Sequence, residues 1–233
     1  MLTIIIYLFI KKHGKQTFAK IGLQIRKFLS DSFPLLFISL LLILLSLIPK
    51  LSRSQTQQMN YIIMQGGKNI GWLKLEKNIN GNNASLSLIS EVKTRVIFLI
   101  NVCTKETSTF ENGKLLHSTQ FRKTNGSIKL NKQTKFTAGK YEVLKNGEKQ
   151  CLGFPFIGTN LLSLYFQEPV GIDMLYCDNH ECFVKIIKTE DGGYKVKFPD
   201  GNSNCYYYSG GICTKIKIEH TFYSATIIHS PKN

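Results

Sequence analysis

Short stretches of alternating apolar and polar residues fill the chain from Met59 onward, and turn-forming dipeptides separate them. Six of the turns are Asn80-Gly81, Asn112-Gly113, Asn125-Gly126, Asn146-Gly147, Asp191-Gly192 and Asp200-Gly201. Gly66-Gly67 and Gly210-Gly211 are two more candidates. A type I′ hairpin loop needs positive φ at both central residues, so Asn-Gly and Asp-Gly are its strongest signals. The pattern predicts an all-β fold, an antiparallel meander that forms a strongly curved sheet, half-barrel or barrel.

About ten to thirteen strands are expected from the segments between turn signals. They are Met59–Gln65, Ile70–Ile79, Ala84–Lys93, Arg95–Phe110, Leu115–Lys123, Ile128–Thr137, Lys140–Lys145, Glu148–Leu152, Met174–Cys177, Cys182–Lys188, Tyr194–Phe198, Asn204–Ser209 and Ile212–Ile228. The run from Val96 to Ile100 is apolar throughout, so we expect it to be buried on both faces or bulged. The Asn112-Gly113 loop places Glu111 opposite Lys114, and opposite charges across a hairpin are mildly stabilising. The Asn146-Gly147 loop places Lys145 opposite Glu148 by the same reasoning.

One segment, residues 154–169, breaks the hairpin pattern. Thr159 can cap a short helix, and Pro169 prevents that helix from continuing. The segment is dense in bulky apolar residues: Phe154, Phe156, Ile157, Leu161, Leu162, Leu164, Tyr165 and Phe166. Such a surface cannot stay in water, so we expect the segment to plug the concave side of the sheet, against Trp72, Tyr206 or Tyr208.

The first 54 residues differ from the rest and are set apart as a leader. An apolar run of about 14 residues, Phe33 to Ile48, follows Arg26 and Lys27, and Ser52 and Ser54 suit a cleavage before Gln55. These features indicate a secretory signal; the alternative is an uncleaved membrane anchor, which needs about 20 apolar residues. Residues 55–233 are then one all-β domain, and the sequence predicts a periplasmic or cell-envelope location.

The charge of the chain falls sharply once the leader is removed. The whole chain carries a formal net charge of +15, whereas residues 55–233 hold 22 Lys and Arg against 14 Asp and Glu, or +8. The remaining lysines are spread along strands among Thr, Asn and Glu, which is typical of a solvated outer face and not of a phosphate-gripping run. We therefore expect no nucleic acid partner, and contact with a membrane only through the leader.

Four motifs carry a resemblance to a known family. They are Ile70-Gly71-Trp72-Leu73, Phe110-x-Asn112-Gly113-x-Leu115, Leu164-Tyr165-Phe166-x-Glu168-Pro169 and Phe198-Pro199-Asp200-Gly201-x-x-Asn204-x-Tyr206-x-Tyr208. Over most of residues 59–225 the chain resembles an uncharacterised family of exported β-rich proteins of Gram-negative bacteria, a domain of unknown function. The resemblance implies export and a single β-rich domain. It implies no activity, substrate or catalytic residue.

Six cysteines follow the leader, at positions 103, 151, 177, 182, 205 and 213. An even number in an exported chain permits disulfides. A two-residue loop at Asn179-His180 would place Cys177 opposite Cys182, so this pair is the predicted disulfide. Two alternatives stay open: unpaired cysteines that act as small hydrophobic side chains, and a metal site at Cys177, His180 and Cys182. We expect no metal or other cofactor.

Catalytic signals are weak throughout the sequence. His117 and Ser118 are neighbours on one strand and point to opposite faces, so they are not a base and nucleophile. Glu168, beside the apolar segment, is the candidate for a general acid with a raised pKa. Tyr206 and Tyr208 share one face of a strand, where they either pack in the core or meet a lipid or glycan.

The sequence therefore favours a non-enzymatic envelope protein that holds an apolar or amphipathic ligand, a lipid or a glycan, in the concavity of its sheet. The expected ligand-binding residues are Trp72, Tyr165, Phe166, Glu168, Tyr206 and Tyr208. One alternative is an envelope hydrolase that uses Glu168 or Asp200. A second is a structural interaction module. A continuous apolar cavity would favour the ligand-binding protein, a wet polar cleft the hydrolase, and a filled interior the interaction module.

Overall fold

The computed structural model describes residues 55–95 and 99–230. These residues form a single antiparallel sheet of fourteen strands, which confirms the predicted all-β meander. The strands are β1 Gln55–Gln65, β2 Lys68–Asn80, β3 Asn83–Arg95, β4 Leu99–Glu111, β5 Lys114–Thr124, β6 Ser127–Thr137, β7 Lys140–Lys145, β8 Glu148–Leu152, β9 Met174–Cys177, β10 Cys182–Lys188, β11 Tyr194–Lys197, β12 Ser203–Ser209, β13 Ile212–His220 and β14 Tyr223–His229. The predicted leader, its cleavage site and Val96 to Phe98 lie outside the described residues. The prediction that the run Val96 to Ile100 is buried on both faces is wrong at Leu99, which is 62% exposed.

The strand order is consecutive except at one place, where β1 pairs with β14. The edge strands are therefore β8 and β9, which the sequence joins through the segment from Gly153 to Asp173. Side chains show that the sheet curls on itself: Ser118 in β5 donates a hydrogen bond to Asp178, which follows β9 at the far edge, at 2.6 Å. The result is a curled, barrel-like sheet with an open seam between β8 and β9.

Three of the predicted Asn-Gly turns have the expected geometry. Asn112, Asn125 and Asn146 all have positive φ, as do the glycines that follow them. The predicted registers are also confirmed, since Glu111 pairs with Lys114 and Lys145 with Glu148.

Other turns differ from the prediction. The β2–β3 loop is Gly81-Asn82, one residue later than expected, because Asn80 pairs with Asn83. Asp191-Gly192 and Asp200-Gly201 lie in longer loops instead of two-residue turns. The predicted strand Ile212–Ile228 is wrong, because the chain reverses at Thr221-Phe222 and forms β13 and β14. Alternation continues through that reversal, so the period of two did not reveal it.

Because neighbouring strands are antiparallel, their loops alternate between two ends of the barrel. The loops after the odd-numbered strands, such as β5, β9, β11 and β13, meet at what we call the upper end. The loops after β2, β4 and β6 meet at the lower end, where the segment that joins β8 to β9 also starts and finishes. The interior core contains inward residues of most strands, including Tyr61, Leu73, Leu115, Tyr141, Val196 and Ile216.

Candidate binding site

We call residues 154–169 the plug segment, and their central part, residues 157–166, packs inside the barrel as predicted. Leu162, Leu164 and Phe166 are buried, and Leu161–Tyr165 forms a 3-10 helix. The cap of this helix is Asn160, whose side chain accepts from the backbone N–H of Ser163, and the predicted cap Thr159 is wrong. The carbonyl of Thr159 instead accepts from the N–H of Tyr176 in β9 at 2.9 Å, so the plug segment covers part of the edge of that strand.

Three of the expected ligand-binding residues, Tyr165, Tyr206 and Tyr208, meet where the plug segment packs on β12. The ring of Tyr165 makes edge-on contacts with Tyr61 and Tyr206, with centroid distances of 5.7 and 6.3 Å. The hydroxyl of Tyr208 donates to the carbonyl of Leu164 at 2.7 Å. Phe166, a fourth expected residue, is buried at the edge of the lower cavity described below. These contacts hold the plug segment in place, so the aromatic residues pack as part of the core of the protein.

Trp72 and Glu168 lie elsewhere than expected. Trp72 is 38% exposed on the outer face of β2, with the ammonium of Lys74 over its ring at 5.3 Å, so its predicted place in the concavity is wrong. Its neighbours Leu73 and Gly71 have the inward positions, and a side chain at Gly71 would collide with the backbone carbonyl of Glu91. Glu168 is half-buried and accepts a hydrogen bond from the hydroxyl of Tyr194 at 2.8 Å.

Two cavities lie beside the plug segment, one toward each end of the barrel. The lower cavity, of about 220 Å³, lies between the plug segment and the inner faces of β2 to β4. Most of its wall is apolar: Ala84, Leu86, Phe110, Leu164, Phe166, Pro169 and Ile172. One cation, Lys77 of β2, reaches it, with its ammonium 6.0 Å from the Phe166 ring centroid. In the part of the chain that the structure describes, Lys77 has no carboxylate partner.

A buried polar network, which the sequence did not reveal, joins the plug segment to the barrel wall. Asp178 is its centre: the carboxylate accepts from Ser118 at 2.6 Å and from the amide of Asn160 at 3.0 Å. The ammonium of Lys132, almost fully buried, donates to the Asp178 carbonyl and pairs with Glu181 at 3.3 Å. Burial raises the pKa of Asp178, which these hydrogen bonds and Lys132 oppose.

Glu106 extends this polar interior toward the upper end. Burial and the nearby Asp178 raise its pKa to about 7, against the opposing effect of Arg122, Gln120 and Lys132. The side-chain nitrogen Nε2 of Gln120 donates a hydrogen bond to Oε1 of Glu106 at 3.4 Å. Sequence reasoning missed these residues because β4 to β6 are polar on both faces, so alternation does not identify the inward one.

The upper cavity has a volume of about 490 Å³. It is bounded by the upper ends of β5 and β6 and by the loops after β9, β11 and β13. Asp200, one of the hydrolase candidates, lies on its rim 3.6 Å from the imidazole Nε2 of His180. Glu168, the other hydrolase candidate, belongs to the plug segment and accepts from the hydroxyl of Tyr194. Among the features expected of a hydrolase, the described residues show a polar cleft.

Cys177 and Cys182 are opposite each other in β9 and β10, in the predicted register. The loop between them has four residues instead of the two predicted, with Glu181 at a φ of 56°. Both cysteines are free in the structure. In residues 55–95 and 99–230, no three His, Cys, Asp or Glu side chains are grouped closely enough to hold a metal ion. No helix among the described residues has the length and apolarity that spanning a membrane requires.

Comparisons with known proteins give a family and a structural likeness. A family model described as a domain of unknown function, DUF6134, matches residues 61–230. No curated protein matches the chain. Among solved structures, the chain is similar to the crystal structure of a β-barrel-like protein of domain of unknown function DUF1849 from Brucella abortus. That likeness has 11% sequence identity and a TM-score of 0.48, and it covers 76% of this chain and 95% of that chain.

Proposed function

The chain belongs to the family of the domain of unknown function DUF6134, and we propose that it is an exported, non-enzymatic envelope protein that binds an amphipathic ligand with an anionic group. The site proposed for this ligand is the lower cavity. Export rests on the leader sequence, with its apolar run and its small residues before Gln55.

The observation that carries the proposal is Lys77. This side chain follows Leu73 and Leu75 on the inward face of β2, and it reaches an otherwise mostly apolar cavity. A lysine on an inner face, without a carboxylate partner in residues 55–95 and 99–230, leaves a positive charge for a ligand to neutralise. Apolar walls with a few placed polar groups are the usual composition of a small-molecule site.

The size of the cavity limits the ligand. A volume of 220 Å³ is below the ~300–1,000 Å³ of sites that enclose drug-sized molecules. The lower cavity would therefore hold one short acyl chain or a single ring, with the anionic group at Lys77. Glu168, Tyr165, Tyr206 and Tyr208 would act indirectly, because they position the plug segment that forms one wall.

Calorimetric titration with sodium decanoate and with decanol tests this proposal. We expect decanoate to bind, and Lys77→Gln to weaken its binding about tenfold while decanol binding stays unchanged. Lys74→Gln is the matched control, because Lys74 is on the same strand and points outward. Decanoate that does not bind, or that binds Lys77→Gln as tightly as the unchanged protein, contradicts the proposal.

A second candidate function is the structural interaction module, which is favoured by one observation. The plug segment fills the middle of the barrel with its own buried side chains, Leu162, Leu164 and Phe166. Native mass spectrometry of protein purified from its own envelope separates the two candidates. A co-purifying small amphiphile supports ligand binding, whereas a co-purifying protein without any small ligand supports the interaction module.

A further inference from the structure

The upper cavity is a second concave site, apart from the lower one. Its wall is formed by the inner faces of β5 and β6 on one side and by the loops after β9, β11 and β13 on the other. Leu161 of the plug segment and Cys177 of β9 also line it. Its volume of about 490 Å³ is within the range of roughly 300–1,000 Å³ that holds a small ligand.

The side chains that line this cavity carry more positive than negative charge. Arg122, Lys129 and Lys145 line it, and only Lys145 has a carboxylate partner among the described residues, Glu181 at 3.4 Å. Arg122 and Lys129 have neither an ion pair nor a side-chain hydrogen bond with any described residue, although Arg122 is near enough to Glu106 to oppose the rise of its pKa. An inward arginine that is free to donate from its planar fork matches the geometry of a carboxylate or phosphate.

The acidic groups on the rim are already engaged. The carboxylate of Glu219 accepts from the ammonium of Lys195 and from the hydroxyl of Ser203, each at 2.8 Å. Asp200 lies 3.6 Å from His180 and accepts from the backbone N–H of Asn202. Lys195 balances the charge of Glu219, whereas Asp200 keeps its negative charge and offsets one cation, so the lining still carries an excess of positive charge at Arg122 and Lys129.

Aromatic rings and amides form another part of the lining. His180 and Phe198 are stacked with their centroids 5.8 Å apart, and His220 and Tyr223 are stacked at 4.7 Å. Asn179, Asn202 and Asn204 also line the cavity, and the side-chain oxygen of Asn202 accepts from the backbone N–H of Thr221. An aromatic ring gives an apolar face for the C–H groups of a sugar, while amides exchange hydrogen bonds with hydroxyl groups.

We propose that the upper cavity binds an anionic saccharide, a sugar ring that carries a phosphate or a carboxylate. The anionic group lies at Arg122 and Lys129, and the ring lies against Phe198 and His180. The site requires no reaction step, and it is separated from the lower cavity by the plug segment.

Calorimetric titration with four probes tests the site: glucose 6-phosphate, glucuronate, glucose and inorganic phosphate. We expect at least one of the two anionic sugars to bind tenfold or more tightly than both glucose and phosphate. Binding of both shows that the site takes either charge, and binding of one alone identifies phosphate or carboxylate as the recognised group. Phosphate that binds as tightly as the anionic sugars overturns sugar recognition, and the absence of binding by all four overturns the site.

Variants locate the binding. Arg122→Gln should weaken the anionic sugar at least tenfold, and Phe198→Ala should weaken it while it leaves phosphate unchanged. Lys129→Gln, on an exposed residue, provides a second test if Arg122→Gln does not fold, and it should weaken binding several-fold. Lys135→Gln, on the outer face of β6, is the matched control and should have no effect. Lys77→Gln should also have no effect, because the lower cavity is a separate site. An affinity unchanged by both Arg122→Gln and Lys129→Gln overturns the proposal.

Discussion

The side-chain amide of Asn160 donates a hydrogen bond to the carboxylate of Asp178 at 3.0 Å, inside the barrel. This contact joins the plug segment to the β9–β10 loop. The same carboxylate accepts from Ser118 of β5, and Lys132 of β6 donates to the Asp178 carbonyl. The edge strands β8 and β9 do not pair with each other. The open seam is therefore held by polar side chains and by the plug segment.

Replacement of Asp178 should destabilise the protein strongly. Asp178→Ala leaves the hydroxyl of Ser118 and one N–H of the Asn160 amide, both buried, without their acceptor. Each buried donor left unsatisfied costs about 1–3 kcal/mol. Urea unfolding should show this loss in the free energy of unfolding. Asp178→Asn, which keeps an acceptor oxygen, should lose less.

Asp173→Ala is the matched control for this prediction. Asp173 is exposed and lies just before β9, near the same seam. Its replacement should change the free energy of unfolding by no more than about 0.5 kcal/mol. Equal effects of Asp178→Ala and Asp173→Ala would show that the polar network does not hold the seam.

The sequence predicted local features of this fold well and long-range ones poorly. The Asn112-Gly113 and Asn146-Gly147 turns were predictable, because positive φ at two successive residues strongly restricts the sequence. The buried place of the plug segment was predictable from its aromatic density. The hydrogen-bond partners of Asp178 were not predictable, because they depend on which distant strands the curling of the sheet brings together. The outward position of Trp72 depends on a register that large hydrophobic residues alone do not determine.

The polar interior also explains why the candidate sites were missed. In β4, β5 and β6, residues such as Glu106, Gln120 and Lys132 occupy inward positions, and the outward positions are polar as well. A period of two then gives no contrast between the faces. Lys77 and Arg122 look like ordinary surface cations in the sequence. They become candidates for ligand contact only when the cavities are known.

The stability of the protein should fall as the pH rises through neutrality, because of Glu106. Its pKa is raised to about 7 in the folded protein, chiefly by burial and by Asp178, from an ordinary value of 4.5. The folded state therefore keeps a proton that the unfolded chain releases above about pH 4.5. The free energy of unfolding should decrease between about pH 4.5 and 7.5, by up to roughly 3 kcal/mol from this group.

Glu106→Gln should remove this pH dependence, because an amide stays neutral. The variant should be more stable than the unchanged protein at pH 8 and of similar stability at pH 4.5, as measured by urea unfolding across that range. Glu111→Gln is the matched control: Glu111 is exposed at the end of the same strand, and its replacement should leave the pH profile unchanged. Parallel profiles for Glu106→Gln and the unchanged protein would refute the assignment.

Whether a disulfide forms between Cys177 and Cys182 should depend on whether the thiols are oxidised during folding or after it. The two residues are paired across β9 and β10, but burial raises the pKa of Cys177 to about 11. The thiolate is the reacting species, so the folded, reduced protein should oxidise slowly at neutral pH. Non-reducing peptide mapping should find the link in protein folded under oxidising conditions. Protein folded with reduced thiols and oxidised afterwards should lack it. Free thiols at both positions in the first preparation would exclude the disulfide.

Phe166→Ala distinguishes a structural plug from a movable lid. Phe166 is 6% exposed, between the lower cavity and the core, and deletion of a buried aromatic ring costs roughly 3–5 kcal/mol. We expect thermal and urea unfolding to show a loss of that size. Phe156→Ala, in the same segment but on a ring that is 52% exposed, is the matched control and should cost less than about 1 kcal/mol. If Phe166→Ala left the stability nearly intact and abolished decanoate binding, the segment would be a lid over the ligand and not a fixed part of the core.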